Sequence, residues 1–257
     1  MNSIKRKILG IIICMVLIVA IPVVGMPSII ETEKENIVND YSVAVYRTES
    51  SGIDFGLSVN DFSTEFIDVD GRSFERLSLA INGRTAEYGK AELPVVSFYV
   101  AVPQGAEVDL NYVTSEYTLF QDYDVYPSQP PKSEADGYVD PPFTINETFY
   151  SLDEYYPYSV VEVSSIMVMR GCRIAMVSVF PFAYNPATKE LKVYNNIDIS
   201  IDFIGGTGEF IPERCRSIYF QPIFDAFLLN AIVLFKVHRH TVGYADYLVN
   251  ALHDYAC

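Results

Sequence analysis

The sequence predicts a mostly β domain followed by one C-terminal helix. Three observations predict it. Tyr (19) and Phe (16) are abundant, Trp is absent, and half of the 257 residues are apolar; Tyr, Phe, Val and Ile suit pleated, half-buried strands. Several segments alternate apolar and polar residues with a period of two, the mark of an antiparallel sheet with one buried and one wet face. Near the C-terminus the spacing changes: Phe220, Phe224, Phe227, Leu228, Ala231 and Phe235 fall at helical intervals.

Taken in order, the strand pattern begins at Tyr41. Ile53, Phe55, Leu57 and Val59 alternate with Asp54, Gly56 and Ser58. Leu77, Leu79 and Ile81 do the same before an Asn82-Gly83 turn signal. Val95 to Val102 is a nearly continuous apolar run that ends at Pro103-Gln104-Gly105, and Val108, Leu110 and Tyr112 resume the period of two. Residues 127–142 carry Pro127, Pro130, Pro131, Pro141 and Pro142 among Ser, Asp and Gly, which reads as a long extended loop. Three strand runs come next, Ser159–Met169, Arg173–Tyr184 and Leu191–Phe203, with Arg170-Gly171 and Asn185-Pro186-Ala187-Thr188 as turns. Met167, Met169 and Met176 read as core filler. Residues 217–236 then read as one amphipathic helix, and Tyr244–Val249 begins like another strand.

Formal net charge is −15. A surface this acidic repels phosphates, which excludes nucleic acid as a partner. The first residues depart from that balance: Lys5, Arg6 and Lys7 precede an uncharged apolar run from Ile8 to Val24. Residues 1–25 therefore read as a signal peptide, with Val23 and Gly25 small enough to flank a cleavage point, or as an N-terminal membrane anchor through residues 8–24. Both readings export the remainder of the chain, with residues 26–40 as a polar linker, residues 41–205 as the β-rich domain, and residues 206–257 as a Gly-rich exit, the helix and a further start. Of the four Cys, Cys14 lies in the export segment, so Cys172, Cys215 and Cys257 allow at most one bridge. Cys172, in an apolar run, reads as a small core residue.

Candidates for chemistry are few. His238 and His240 could place two imidazoles, but no Cys or carboxylate stands at ligand spacing beside them. Asp68-Val69-Asp70-Gly71 lacks the later Glu of a calcium loop and reads as an acidic turn. Gly205-Gly206-Thr207-Gly208 lacks the Lys-Ser/Thr ending of a phosphate loop. Neither cofactor nor metal is expected. Asn146-Glu147-Thr148 matches an N-glycosylation acceptor at Asn146.

An ordered series of segments resembles the pro-domain of gingipain-type cysteine peptidases, whose catalytic domains are caspase-like. The pieces are Gly89–Pro94, Val100–Gly105, Tyr126–Pro131, Tyr156-Pro157, Arg170–Arg173, Pro181–Pro186 and Leu191–Ile197. Ala91 stands where the family usually has Pro. The resemblance implies an antiparallel β-sandwich-like pro-domain over residues 41–205. It also implies that this region helps a cysteine peptidase catalytic domain, in cis or in trans, to fold and keeps it latent until proteolysis. An exposed loop with a basic residue is then expected to enter the substrate groove, with Arg84 and Lys132 as candidates. Ala245–Val249 resembles the opening strand of the catalytic domain. Its His-Gly pair and later Cys have no counterpart, since His238, His240 and His253 precede Arg239, Thr241 and Asp254 and only Cys257 lies downstream. The chain thus reads as a precursor truncated at its domain junction and not as an enzyme. The competing expectation is a cell-surface β-sandwich that binds or adheres through its many Tyr. A pro-region parted from its enzyme is expected to expose the apolar face of 217–236, and a self-standing module to cover it.

Overall fold

A computed structural model describes residues 40–80, 83–131, 139 and 141–234. These residues belong to one compact unit. It contains eleven described strands in chain order: β1 (Tyr41–Glu49), β2 (Gly52–Val59), β3 (Ser63–Val69), β4 (Arg72–Ser78), β5 (Val96–Val102), β6 (Ala106–Phe120), β7 (Val161–Val163), β8 (Met167–Met169), β9 (Cys172–Val179), β10 (Phe182–Asn185) and β11 (Glu190–Gly205). Two short helices, α1 (Glu147–Tyr150) and α2 (Gln221–Phe227), complete it.

The strands form two antiparallel sheets and a hairpin. In sheet one, the long β11 is the spine. Along one edge it pairs with β6 from Leu191↔Phe120 to Gly205↔Ala106. Along the other it pairs first with β10 and then with β2, which carries β1 outside it. Ile53, Phe55, Leu57, Ile197, Ile199 and Ile201, the predicted alternating apolar residues, are all buried. Sheet two is β5–β9, with β7 and β8 end to end on the far edge of β9. Phe98 of β5 meets Phe55 of β2 edge-on at 5.2 Å, so the two sheets share one core and make the expected sandwich. The same contact sets the parity of β5: Ser97, Tyr99 and Ala101 face away from sheet one.

Tight turns form at the left-handed residues. Asp70 and Gly71 both have positive φ, as a two-residue hairpin turn requires, and they join β3 to β4. The acidic turn is thus a hairpin. Arg170-Gly171 does the same between β8 and β9. Gly171 has a second reason to lack a side chain, since a Cβ there would lie 2.8 Å from the Cβ of Cys215. Cys172 is fully buried as predicted, and burial pushes its thiol up to about 12. Cys172 and Cys215 are both free.

Several expectations need correction. The run Ser159–Met169 is two strands, because the Ser164 hydroxyl takes the ladder bond of the Met176 amide (3.1 Å) and interrupts pairing. The run Arg173–Tyr184 also divides, since Pro181 has no N–H to continue a ladder. Met167 is exposed and Met176 lies opposite Tyr99 on the face turned away from sheet one, so of the three methionines expected as filler only Met169 packs against the core. The helix expected over 217–236 is broken. Of its described residues only Gln221–Phe227 are α-helical, and a 3-10 turn at Ala231–Leu234 comes after them.

The break has a specific cause. Asn230 is fully buried and acts as a short strand. Its side-chain Oδ1 accepts from the Ala101 N–H (2.8 Å), and its Nδ2 donates to the Ala101 carbonyl (2.9 Å). The Leu229 N–H donates to the Tyr99 carbonyl (2.8 Å), and Phe227 stacks edge-on against Tyr99. Residues 210–234 therefore form a strap along the free edge of β5. Phe210, Ile211, Phe224, Leu228, Ala231, Val233 and Leu234 are all buried under it. Phe224, Leu228 and Ala231 of the predicted apolar face are thus covered, which corrects the exposure expected of a pro-region parted from its enzyme. Residues 1–39 and 235–257, with the export segment, the three His and the Tyr244–Val249 run, lie outside the described residues.

Candidate functional site

The Pro-rich loop leaves the sandwich through a built root. Its incoming arm, Asp124–Ser128, lies extended between β4 and the turn Gly89–Glu92. The Glu75 N–H donates to the Asp124 carbonyl (2.8 Å), and the Tyr126 N–H to the Glu75 carbonyl (2.9 Å). On the other side the Glu92 N–H donates to the Tyr126 carbonyl (2.8 Å) and the Ser128 N–H to the Lys90 carbonyl (2.7 Å). The arm is a third strand beside the β3–β4 hairpin in all but name.

Asp124 is the electrostatic hub. Its nearly buried carboxylate accepts two bonds from Arg72 (3.0 and 2.6 Å) and one from Lys189 (3.2 Å), while its own N–H donates to Glu75 Oε2 (2.6 Å). This forked arginine–carboxylate geometry is the strong kind, and it raises the pKa of Arg72 further. Two buried phenols support the same stretch: Tyr184 donates to the Tyr123 carbonyl (3.0 Å) and Tyr150 to the Val125 carbonyl (2.6 Å).

The outgoing arm is tied to the incoming one. Gln129 Nε2 donates to the Thr144 carbonyl (2.8 Å), and the Thr144 N–H returns to Gln129 Oε1 (2.8 Å). Phe74, Tyr126 and Phe143 form a ring triangle with centroids 5.7 to 6.0 Å apart, and Arg76 lies 4.3 Å over Tyr126. The Asn146 N–H donates to the Gly89 carbonyl (3.0 Å). The loop thus starts and ends on one clamped base.

The three residues singled out from sequence fare differently. Lys132 lies outside the described residues, one position after the exposed Pro131. Arg84 is half-buried and engaged within the domain: it donates to the Leu77 carbonyl (2.6 Å) and Ser78 Oγ (2.9 Å) and pairs with Glu92 at 3.2 Å. Asn146 is exposed at the N-cap of α1, where its Oδ1 accepts from the Phe149 N–H (3.0 Å). Sequence reasoning missed Asp124, Arg72 and Gln129, since no local pattern announces partners that are 52 or 15 positions apart. Among the described residues no cluster of three metal-type side chains occurs.

The buried phenols give a pH expectation. Desolvation raises the pKa of both Tyr150 and Tyr184 above the ordinary value of 10. A raised folded-state pKa means that their contribution is complete below pH 10 and is lost as pH rises beyond it. Urea midpoints measured from pH 8 to 11 are expected to fall above 10. In the Tyr150→Phe/Tyr184→Phe chain the fall is expected to be shallower, after a loss of about 2 kcal/mol at pH 7 from two missing hydrogen bonds. Equal alkaline slopes in both chains would refute this account.

The propeptide family model Propeptide_C25 matches residues 34–209. The chain belongs to this family. The match covers both sheets and the loop root, and it is to a pro-region rather than to a catalytic domain. Lys-gingipain of Porphyromonas gingivalis is 29% identical over 177 residues, which cover 67% of this chain and 10% of that protein. Gingipain R2 of the same organism is 26% identical over 148 residues, 56% of this chain and 20% of that protein. The chain thus spans a tenth to a fifth of the length of these relatives. Among solved structures, the complex of Porphyromonas gingivalis RgpB pro- and mature domains aligns with a TM-score of 0.64 at 20% identity, over 74% of this chain and 97% of that one. A structure addressing zymogenic latency of gingipain K aligns with a TM-score of 0.58 at 26% identity, over 65% and 93%. The propeptide match stops at residue 209, just where the strap begins.

Proposed function

We propose that this exported C25 propeptide assists the folding of a gingipain-type cysteine peptidase domain, in cis or in trans, and holds it latent until proteolysis. The observation that carries this reading is the clamped root of the Pro-rich loop within a propeptide fold. An inhibitor needs a rigid base that presents one loop to a substrate groove. Hydrogen bonds, the Asp124 hub and the ring triangle supply such a base. Lys132, the first residue past Pro131, is the side chain that would enter the specificity pocket. Arg84 acts by contrast from within, holding Glu92 and the end of β4.

The test is a titration of the full chain against an active gingipain-type peptidase, read with Arg- and Lys-ended reporter peptides. Saturable inhibition is expected, and Lys132→Ala is expected to weaken it about 100-fold, or about 2.7 kcal/mol. Arg84→Ala is expected to lower stability and leave the inhibition constant of the folded fraction unchanged. An absence of inhibition at micromolar concentration would remove the latency role. It would favour the surface-binding reading, which the exposed Tyr46, Tyr112 and Tyr117 of sheet one support.

A further inference from the structure

On the face of sheet two turned away from sheet one, the strap covers the half around Ala101. The other half holds a groove of about 530 Å³. Its floor is a cross-strand row: Ser97 of β5 pairs with Ser178 of β9, which pairs with Glu162 of β7. Met176 lies beside them. The segment Tyr156–Tyr158 with Phe180, and the turn Gly83–Glu87, form its walls. Tyr158 is 72% exposed and stands perpendicular to Tyr156.

The lining is committed in charge. Arg84 is bound to Glu92, and Glu87 to Lys90. The Glu162 carboxylate and the Ser97 and Ser178 hydroxyls have no hydrogen-bond or ion-pair partner among the described residues. The groove therefore offers one free negative charge, two free hydroxyls and aromatic walls, and no free cation.

We propose that this groove takes the side chain of an arginine presented by an extended segment of a polypeptide partner. Neighbouring strands lie about 4.8 Å apart. A planar guanidinium with five donors can therefore bridge Glu162 and Ser178 while its face lies against the tyrosine wall. Ser97, one strand further, is left to meet the partner's main chain. Lysine fits less well, because a compact, strongly hydrated ammonium neither bridges the row nor stacks. The acidic balance of the whole chain steers a basic segment towards it. The turn that walls the groove runs directly into Gly89–Glu92, which holds the loop root, so the groove and the loop share one rigid support. The inference stands on the groove alone and does not require the latency reading.

The experiment uses the full chain and a fluorescent, end-blocked Gly-Gly-Arg-Gly-Gly peptide, followed by anisotropy. Citrulline and lysine versions serve as controls. A Kd below about 1 mM is expected for the arginine peptide, with about tenfold weaker binding of the citrulline peptide and of the arginine peptide to Glu162→Gln. Tyr158→Ala, whose side chain is largely exposed, provides a second variant if Glu162→Gln fails to fold, and is expected to weaken binding several-fold. Equal affinity for arginine and citrulline, equal affinity for arginine and lysine, or no binding at about 10 mM would each overturn the proposal.

Discussion

Ending the chain at residue 209, where the propeptide match ends, is expected to unfold or aggregate the domain. The strap buries Phe210, Ile211, Phe224, Leu228, Val233 and Leu234. Each fully buried side chain of this kind contributes about 1.5–3 kcal/mol, so the removed burial is on the order of 10 kcal/mol before the entropy of ordering the strap is set against it. That compares with a total stability of about 5–15 kcal/mol for an ordinary domain. Loss of the strap also uncovers the edge of β5, whose Tyr99 carbonyl and Ala101 amide and carbonyl would then face other chains. An amphipathic helix with an exposed apolar face would predict the reverse, since its removal would relieve aggregation. Urea unfolding and size-exclusion chromatography of chains ending at 209 and at 234 decide between the two. A shortened chain that stays monomeric with an unchanged midpoint would show that the strap is a passenger. Asn230→Leu isolates the edge from the burial: it keeps the volume and deletes the two bonds to Ala101, leaving both Ala101 groups buried and unpaired, at a cost of about 2–4 kcal/mol.

Asp124→Ala is expected to cost about 2–3 kcal/mol, less than the loss of a wholly buried ion partner because Arg72 and Lys189 stay partly in water. The substitution strands two cations at once and removes the forked pair that fixes the start of the loop. Arg72→Met is expected to cost less, since Lys189 remains beside Asp124 and a methionine still covers Phe74, over which the guanidinium now sits at 4.5 Å. Denaturation of the two single variants and the double variant gives the coupling between them. A coupling near zero would mean that the hub is surface decoration, and a loss below about 0.5 kcal/mol for Asp124→Ala would say the same.

The strands that could be read from sequence are those whose two faces meet different solvents. β2 and the stretch of β11 from Ile197 to Phe203 alternate because one face lies in the core and the other carries half-buried or exposed polar residues such as Asp54, Ser58, Asp198 and Ser200. β3 escaped detection because it belongs to a two-stranded hairpin, where even Phe66 is exposed and the pattern loses its contrast. The second half of β6 escaped for the same reason, since it lies at the edge of sheet one and most of its residues see water. The strap imitated a helix because successive tight turns repeat apolar residues at intervals of three and four, much as a helix does. Only the fate of Asn230, settled by a strand more than a hundred positions away, separates the two. The Pro-rich loop was visible from composition. What makes it a candidate site, the pairing of Asp124 with Arg72 and of Gln129 with Thr144, arises from packing and leaves no local trace.

The order of strands in sheet one has a consequence for synthesis. β2 finds its inner neighbour, β11, only after more than half of the chain has been made, and β5 finds its cover later still. A ribosome that has released the first two strands has released a ribbon with no second edge to rest on. Contacts so distant in sequence form slowly, and domains tend to fold as whole units during translation. Whatever the sandwich does for a polypeptide made after it, it can begin only once the strap has left the exit tunnel.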